Sequence, residues 1–164
     1  MARGRPGRQA VQLLIERGRL DRFEATELAA LADALLGRAA LRLDVTATAA
    51  LTMGDVDGAY VAAYDAYRIA AEALLAAQGL RATSGGGAHL AVEAAVSAQF
   101  AAEIPAFGKA TFDRFRRTRH SAQYFDPLAA PITRADASWA IGKATAAVAG
   151  TRRLLRKAPP GRFG

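Results

Sequence analysis

The chain has 164 residues and is 52% apolar, which fits a single domain with a core of its own. It contains no cysteine, which excludes disulfides, zinc–thiolate sites, iron–sulfur clusters and cysteine nucleophiles. The formal net charge of +7 favours polyanionic partners such as RNA or DNA, although a soluble arginine-rich surface would give the same charge.

The N-terminal residues 1–7 are rich in Gly, Pro and Arg, and we expect them to form a disordered basic tail. The apolar run Ala10 to Ile15 that follows is too short for a signal peptide and ends at Glu16. No stretch of the sequence approaches the roughly 18 uninterrupted apolar residues of a membrane span. These features predict a cytoplasmic protein with no membrane partner.

Two helices are predicted in the first third of the chain. The first covers residues 8–16. Asp21 followed by Glu24 resembles a capping box, with Leu20 in the position of a hydrophobic staple, and predicts the start of the second helix. Leucines at helical spacing carry this helix to about residue 50. The β-branched residues that leave its last turns open are Val45, Thr46 and Thr48.

The third predicted helix follows a break at Met53-Gly54-Asp55 and can be capped by Asp55 or Asp57. Its apolar residues step by four, four, three, four and three positions, as one buried helix face does. These residues are Val56, Tyr60, Tyr64, Tyr67, Ala71 and Leu74. Gly79 suits the turn that ends this helix, and residues 81–87 are then predicted to be a flexible loop.

Two further helices are predicted before the last one. The fourth runs from about His89 to Ala102 and is interrupted by Pro105. The fifth covers roughly residues 107–124. Its side chains that we expect in the core are Phe112 and Phe115.

The last predicted helix begins at Thr133, which forms a capping-box pattern with Asp136. It runs to about Lys157 and is stopped by Pro159-Pro160. Because no stretch alternates apolar and polar residues as a strand does, we predict an all-α fold. Five or six helices joined by short loops favour an antiparallel bundle over residues 8–157, followed by a C-terminal tail over residues 158–164.

Residues 114–124 on the fifth helix combine basic, titratable and aromatic side chains. Four arginines and a histidine fall within seven residues: Arg114, Arg116, Arg117, Arg119 and His120. On a helix, Arg116, His120 and Tyr124 share one face at four-residue spacing. Such arginines can hold a phosphodiester while His120 moves protons, which is the chemistry of metal-free RNA cleavage. The alternative is a solvated basic face that ends in a helix-terminal histidine.

The other histidine, His89, lies on a different predicted element, so we expect no histidine-based metal site and no cofactor. Basic residues also cluster near the C-terminus, at Arg152, Arg153, Arg156, Lys157 and Arg162. No phosphate-binding glycine loop, paired-carboxylate motif or nucleophile elbow is present in the sequence.

Three features of this sequence resemble the HEPN family, whose members are small helical bundles of prokaryotic toxin–antitoxin and defence systems. Residues 64–81, YDAYRIAAEALLAAQGLR, are similar to a family helix that ends in Ala-Leu-Leu and then Gly-Leu-Arg. His89 follows a Gly/Ser-rich loop, as a histidine frequently does in the family. The third feature is the Arg/His/Tyr segment at residues 114–124.

Members of the family that cleave RNA carry an Arg, a polar residue, three more residues and a His, often with a Tyr two positions later. In one register Arg117, Thr118 and Tyr124 match this motif, and Ala122 stands where the His is expected. In a second register Arg114 pairs with His120 across five residues. Both registers are open at the level of sequence.

The resemblance implies an RNA-binding homodimer, with the Arg/His segments of two protomers lining one cleft. It further implies a metal-independent endoribonuclease toxin, with Arg117 and His120 as catalytic residues and Arg114, Arg116 and Arg119 binding RNA. Tyr124 would be a site of modification by an antitoxin of the nucleotidyltransferase type, or else a hydrogen-bonded helix-end aromatic. The alternative function is a catalytically inactive HEPN module that binds a partner or nucleic acid, which Ala122 favours.

Overall fold

The computed structural model describes residues 6–124 and 126–164, without the side chain of Ser121. Most of the predicted N-terminal tail, residues 1–5, therefore lies outside the described residues. The described α-helices are α1 (Arg8–Glu16), α2 (Leu28–Leu41), α3 (Thr48–Thr52), α4 (Val56–Ala76), α5 (Ala88–Phe100), α6 (Lys109–Gln123) and α7 (Arg134–Lys157). Because a π-helical segment, Arg42–Ala47, joins α2 to α3 without a break, these helices form six rods. The all-α bundle predicted from the sequence is confirmed.

Helix α4 is the centre of the bundle and packs mainly against α7 and α2. Its predicted apolar stripe is buried from Tyr60 to Leu74, because residues at these spacings fall on one side of a helix. Asp55 caps it as predicted, since the Gly58 N–H donates to Asp55 Oδ1 at 2.8 Å. Gly79 ends the turn after it with a φ of +73°, the left-handed conformation that glycine adopts most readily.

The capping box predicted at Asp21 and Glu24 is wrong. Residues Leu20–Arg22 form strand β1, which pairs antiparallel with strand β2 (Leu80–Ala82). The turn after α1 and the turn after α4 bring the two strands side by side. Leu20 is buried in the core, with 1% of its surface exposed. Glu24 accepts a hydrogen bond from Arg162 at 2.8 Å instead of capping a helix.

The loop predicted over residues 81–87 is also shorter than expected, because Arg81 lies in β2 opposite Asp21. The Thr83 N–H continues the pairing by donating to the Arg19 carbonyl at 3.1 Å. The antiparallel pair β1–β2 is the one sheet among the described residues, and it ties the chain between α1 and α2 to the chain between α4 and α5.

The π-helical segment Arg42–Ala47 contains Val45 and Thr46, two of the β-branched residues near which the sequence did not determine the end of the second helix. In it, Leu43 and Ala47 remain buried. The Thr48 hydroxyl donates to the Leu43 carbonyl at 3.1 Å and so provides a partner for a carbonyl of the widened turn. The rod then continues as α3 to Thr52 and ends before the predicted break.

Helix α7 begins as predicted. Thr133 accepts from the Asp136 N–H, and Asp136 accepts from the Thr133 N–H, which completes a capping box. After the helix ends, Phe163 packs into the core with 7% of its surface exposed. The Phe163 N–H donates to the Gln78 carbonyl at 3.0 Å, so these last residues are attached to the end of α4.

Candidate nucleic-acid interface on helix α6

Helix α6 is positioned by a cluster of aromatic rings. Phe112 and Phe115 are buried as predicted and pack against the tyrosines of α4. The closest ring pair joins Tyr67 and Phe115, with centroids 4.5 Å apart. The Tyr67 hydroxyl donates to the Ala106 carbonyl at 2.7 Å, which fixes the turn that leads into α6. With this face buried, the basic side chains of α6 emerge on its flanks and outer side.

Two of the predicted RNA-binding arginines are engaged by neighbouring helices. Arg114 lies over the Trp139 ring of α7, with its Cζ 3.8 Å from the ring centroid, and its Nη2 is 3.3 Å from Asp136 Oδ1. Arg116 contacts Glu93 of α5 at 2.7 Å and Asp113 at 2.9 Å. Carboxylates already balance both charges, so neither arginine is available to a phosphate without a rearrangement.

Arg119 is turned towards α4 rather than towards solvent. Its Cζ lies 5.0 Å from the centroid of the Tyr64 ring. Its Nε is buried and has no hydrogen-bond partner among the described residues. The structure therefore places this predicted RNA contact at the edge of the bundle core.

Arg117, His120 and Tyr124 form an exposed stripe, which we call the α6 stripe. Successive members lie three and four residues apart and so share one side of the helix. The His120 and Tyr124 rings have centroids 5.1 Å apart, and the Tyr124 N–H donates to the His120 carbonyl at 3.0 Å. Arg117 makes no ion pair with any carboxylate that the structure describes. The α6 stripe therefore presents a cation, an imidazole and a phenol to solvent.

Ala122, at the position where the family motif has His, lies on a different side of α6. It is half-buried and packs against the core, as expected for a residue seven positions after Phe115. By helical geometry it is about 140° round the helix from Arg117. Arg114 faces α7, about 120° from His120, so the second sequence register is not brought together within one chain either.

His89, which the sequence did not connect to the basic segment, lies near enough to it for the charge of Arg119 to act on the imidazole. Burial lowers the pKa of His89, and the charges of Arg68 and Arg119 lower it further, against the opposing effects of Glu72 and Asp65. The loop before α5 and the packing of α4 against α6 produce this proximity. Because these contacts join residues far apart in the chain, no local pattern could have predicted them.

Glu93 is the other functional group that the sequence did not reveal. It is a buried carboxylate, 8% exposed, on the α5 face that meets α6. Burial raises its pKa, although Arg116 acts in the opposite direction. Within α6, the three- and four-residue spacings of Asp113 to Arg116 and of Lys109 to Asp113 could have predicted the pairing of these charges. The pairing with Glu93 depends on tertiary packing.

The basic C-terminal cluster lies at the far end of α7 from Asp136. Its exposed members without an ion pair in the described part of the chain are Arg152, Arg153, Arg156 and Lys157. Arg162 is separate from them and binds Glu24 and the Ala25 carbonyl. Across residues 6–124 and 126–164, no three His, Asp or Glu residues are grouped to hold a metal ion, and no helix has the length and hydropathy to cross a bilayer.

Comparison of the chain with protein-family models finds no match, and comparisons with curated proteins and with solved structures find no significant match.

Proposed function

We propose that this chain is a HEPN-like RNA-binding protein that contacts the RNA backbone through the α6 stripe. The observation that carries the proposal is the state of Arg117, which is exposed and has no carboxylate partner in the described structure. Arg114 and Arg116, by contrast, are held by acidic side chains. An unpaired guanidinium can form a bidentate hydrogen-bonded pair with a phosphate without first breaking an ion pair.

Tyr124 adds a second kind of contact to the same stripe. Its side chain is 58% exposed and sits beside His120. Exposed aromatic rings next to cations are the common means by which proteins bind single-stranded RNA, since bases stack on the ring while the cation holds the backbone. The resemblance to the HEPN family extends the proposal to a homodimer in a toxin–antitoxin module, with two stripes facing one cleft.

Replacement of Arg117 tests the binding proposal. We expect Arg117→Ala to weaken binding of a single-stranded RNA by roughly tenfold and to reduce the slope of log affinity against log salt by about one, because one phosphate contact is lost. The matched control is Arg17→Ala, which removes an exposed arginine near the end of α1. Equal affinities of the two variants, measured by fluorescence anisotropy across a salt series, would contradict the proposal.

Metal-independent RNA cleavage is a second candidate function, favoured by the exposure of His120 on the same stripe as Arg117. In this reaction the 2′-hydroxyl attacks the adjacent phosphorus and the 5′-oxygen leaves. His120 would transfer protons, and Arg117 would stabilise the charge on the phosphate oxygens. The same RNA incubated with chelator should then be cut by the parent and not by His120→Ala. Intact RNA with both proteins would favour the inactive module, as the Ala at the motif's His position does.

A further inference from the structure

A cavity of about 480 Å³ lies between α5 and α6. Its volume is in the range of small-molecule sites. The lining is largely apolar, with a few polar groups, and includes Leu90, Glu93, Ala94, Ser97, Phe112 and Arg116. Leu90 is 50% exposed at this surface, so apolar surface is left uncovered there.

Glu93 lines this cavity and carries an unused acceptor, which a rotation of the Glu93 side chain would bring to the cavity wall. Its Oε2 accepts from Arg116 Nη1 at 2.7 Å, while its Oε1 is buried and has no hydrogen-bond partner among the described residues. Buried carboxylate oxygens nearly always accept a hydrogen bond, because removal from water is costly otherwise. The free oxygen therefore requires a donor that the described chain does not provide.

The other charged groups around Glu93 leave this oxygen without a competing donor. Arg116 is shared between Glu93 and Asp113, and Lys109 is paired with Asp113 at 2.8 Å. The Arg116 side chain is 44% exposed, so it can swing aside at the rim. A ligand that suits this site is a flat, partly apolar ring that carries a hydrogen-bond donor.

The position of the cavity indicates where such a ring would come from. Arg116, at its rim, directly precedes Arg117 of the α6 stripe in the sequence, and successive side chains of an α-helix point about 100° apart, so the cavity and the stripe occupy neighbouring sides of α6. RNA-binding proteins commonly accept unstacked bases into such pockets next to the backbone contact, and carboxylates read the amino groups of bases.

We propose that this cavity receives an RNA nucleobase with an exocyclic amino group, such as cytosine, and that Glu93 Oε1 accepts a hydrogen bond from that amine. The inference rests on the proposed function and adds base preference to it. Uracil carries a carbonyl oxygen where cytosine carries the amine. Two acceptors would then face each other, so uracil is disfavoured at the same position.

The test compares oligocytidine and oligouridine of about ten nucleotides, a length typical of single-stranded sites. The parent protein should bind oligocytidine roughly tenfold or more tightly, the order expected for a hydrogen bond to a charged acceptor. Glu93→Gln keeps the shape of the side chain but offers an amide NH₂, which can donate to the uracil carbonyl. The preference should therefore disappear or reverse in this variant.

Ser97→Leu provides a second variant that leaves Glu93 in place and fills the cavity. It should remove the base preference while the dependence on Arg117 remains. Equal binding of both oligonucleotides by the parent, or an unchanged preference in both variants, would overturn the inference and leave the proposed function standing. If the parent protein binds neither oligonucleotide but still prefers free cytidine to free uridine in NMR titrations, the proposed function alone is overturned.

Discussion

Two buried tyrosines of α4 differ in how their hydroxyls are satisfied. The Tyr67 hydroxyl donates to the Ala106 carbonyl, and burial raises the pKa of Tyr67 far above its usual value. The Tyr60 hydroxyl has no hydrogen bond of normal geometry in the described structure. Burial raises the pKa of Tyr60 as well, although the nearby Thr118 hydroxyl acts in the opposite direction. The two positions therefore form a natural comparison, since both rings pack in the same cluster.

Substitution of each tyrosine by phenylalanine should separate the hydroxyl from the ring. We expect Tyr67→Phe to lower the free energy of unfolding by about 1–3 kcal/mol, because it leaves the buried Ala106 carbonyl without a donor. Tyr60→Phe should cost less than Tyr67→Phe, since the buried Tyr60 hydroxyl has no hydrogen bond of normal geometry to lose. Urea denaturation of both variants measures the difference, and a larger loss for Tyr60→Phe would show that this ranking is wrong.

At the start of helix α7, one residue both caps the helix and contacts the basic helix α6. Asp136 completes the capping box with Thr133 and also contacts Arg114 of α6. The Thr133 backbone and hydroxyl hold the pKa of Asp136 below its usual range, with a smaller contribution from Arg114. The Asp136 carboxylate therefore stabilises the fold at a pH above the usual pKa of Asp, and this effect is lost as the pH falls through the lowered pKa of Asp136.

Replacement of the capping residue should be costly, and replacement of another α7 threonine should not. We expect Thr133→Ala to lower the free energy of unfolding by about 1 kcal/mol, because a backbone N–H at the helix start loses its acceptor. Thr145→Ala is the control, since Thr145 is exposed and bonds back only to the Ile141 carbonyl. A further variant, Asp136→Asn, should show less loss of stability than the parent when the pH is lowered from 5 to about 3.

Considering the described chain in full, two basic clusters lie apart, one on α6 and the other at the end of α7. Arg114 meets Asp136 at the start of α7, whereas Arg152 lies sixteen residues further along, or about 24 Å at the rise of an α-helix. This separation exceeds the Debye length of about 10 Å at 0.1 M salt but not that of about 30 Å at 0.01 M. The distal cluster should therefore influence RNA at the proposed α6 site only when salt is low.

Charge reversal at the distal end of α7 tests this division. The double variant Arg152→Glu/Arg156→Glu should weaken RNA binding several-fold at about 0.01 M salt and leave it nearly unchanged at about 0.15 M, because screening removes the long-range field. Arg117→Ala should weaken binding at both concentrations. An equal loss for the double variant at the higher concentration would instead place the RNA in direct contact with the end of α7.

The sequence predicted those features that depend on neighbours in the chain. The bounds of α1, the Asp55 and Thr133 caps and the inward-facing Phe115 all follow from local spacing and were confirmed. The strand at Leu20 was missed because its partner is some sixty residues away, and the spacing of Asp21 and Glu24 matches a capping box even though Asp21 lies in a strand. Likewise, the basic segment was evident from the sequence, whereas the engagement of Arg116 by Glu93 required the fold.

The π-helical segment Arg42–Ala47 has a consequence for how this chain can vary in length. A π-helical turn holds one residue more than an α-helical turn, because each N–H reaches five residues back instead of four. Removal of a residue from an α-helix rotates everything beyond it by about 100° and takes the buried face out of register. If one residue is removed within residues 42–47, the segment can instead adopt α-helical hydrogen bonding. Leu36 and α3 then keep their present orientations relative to the core. Among the helices of the bundle, this segment is thus expected to tolerate a single-residue deletion best.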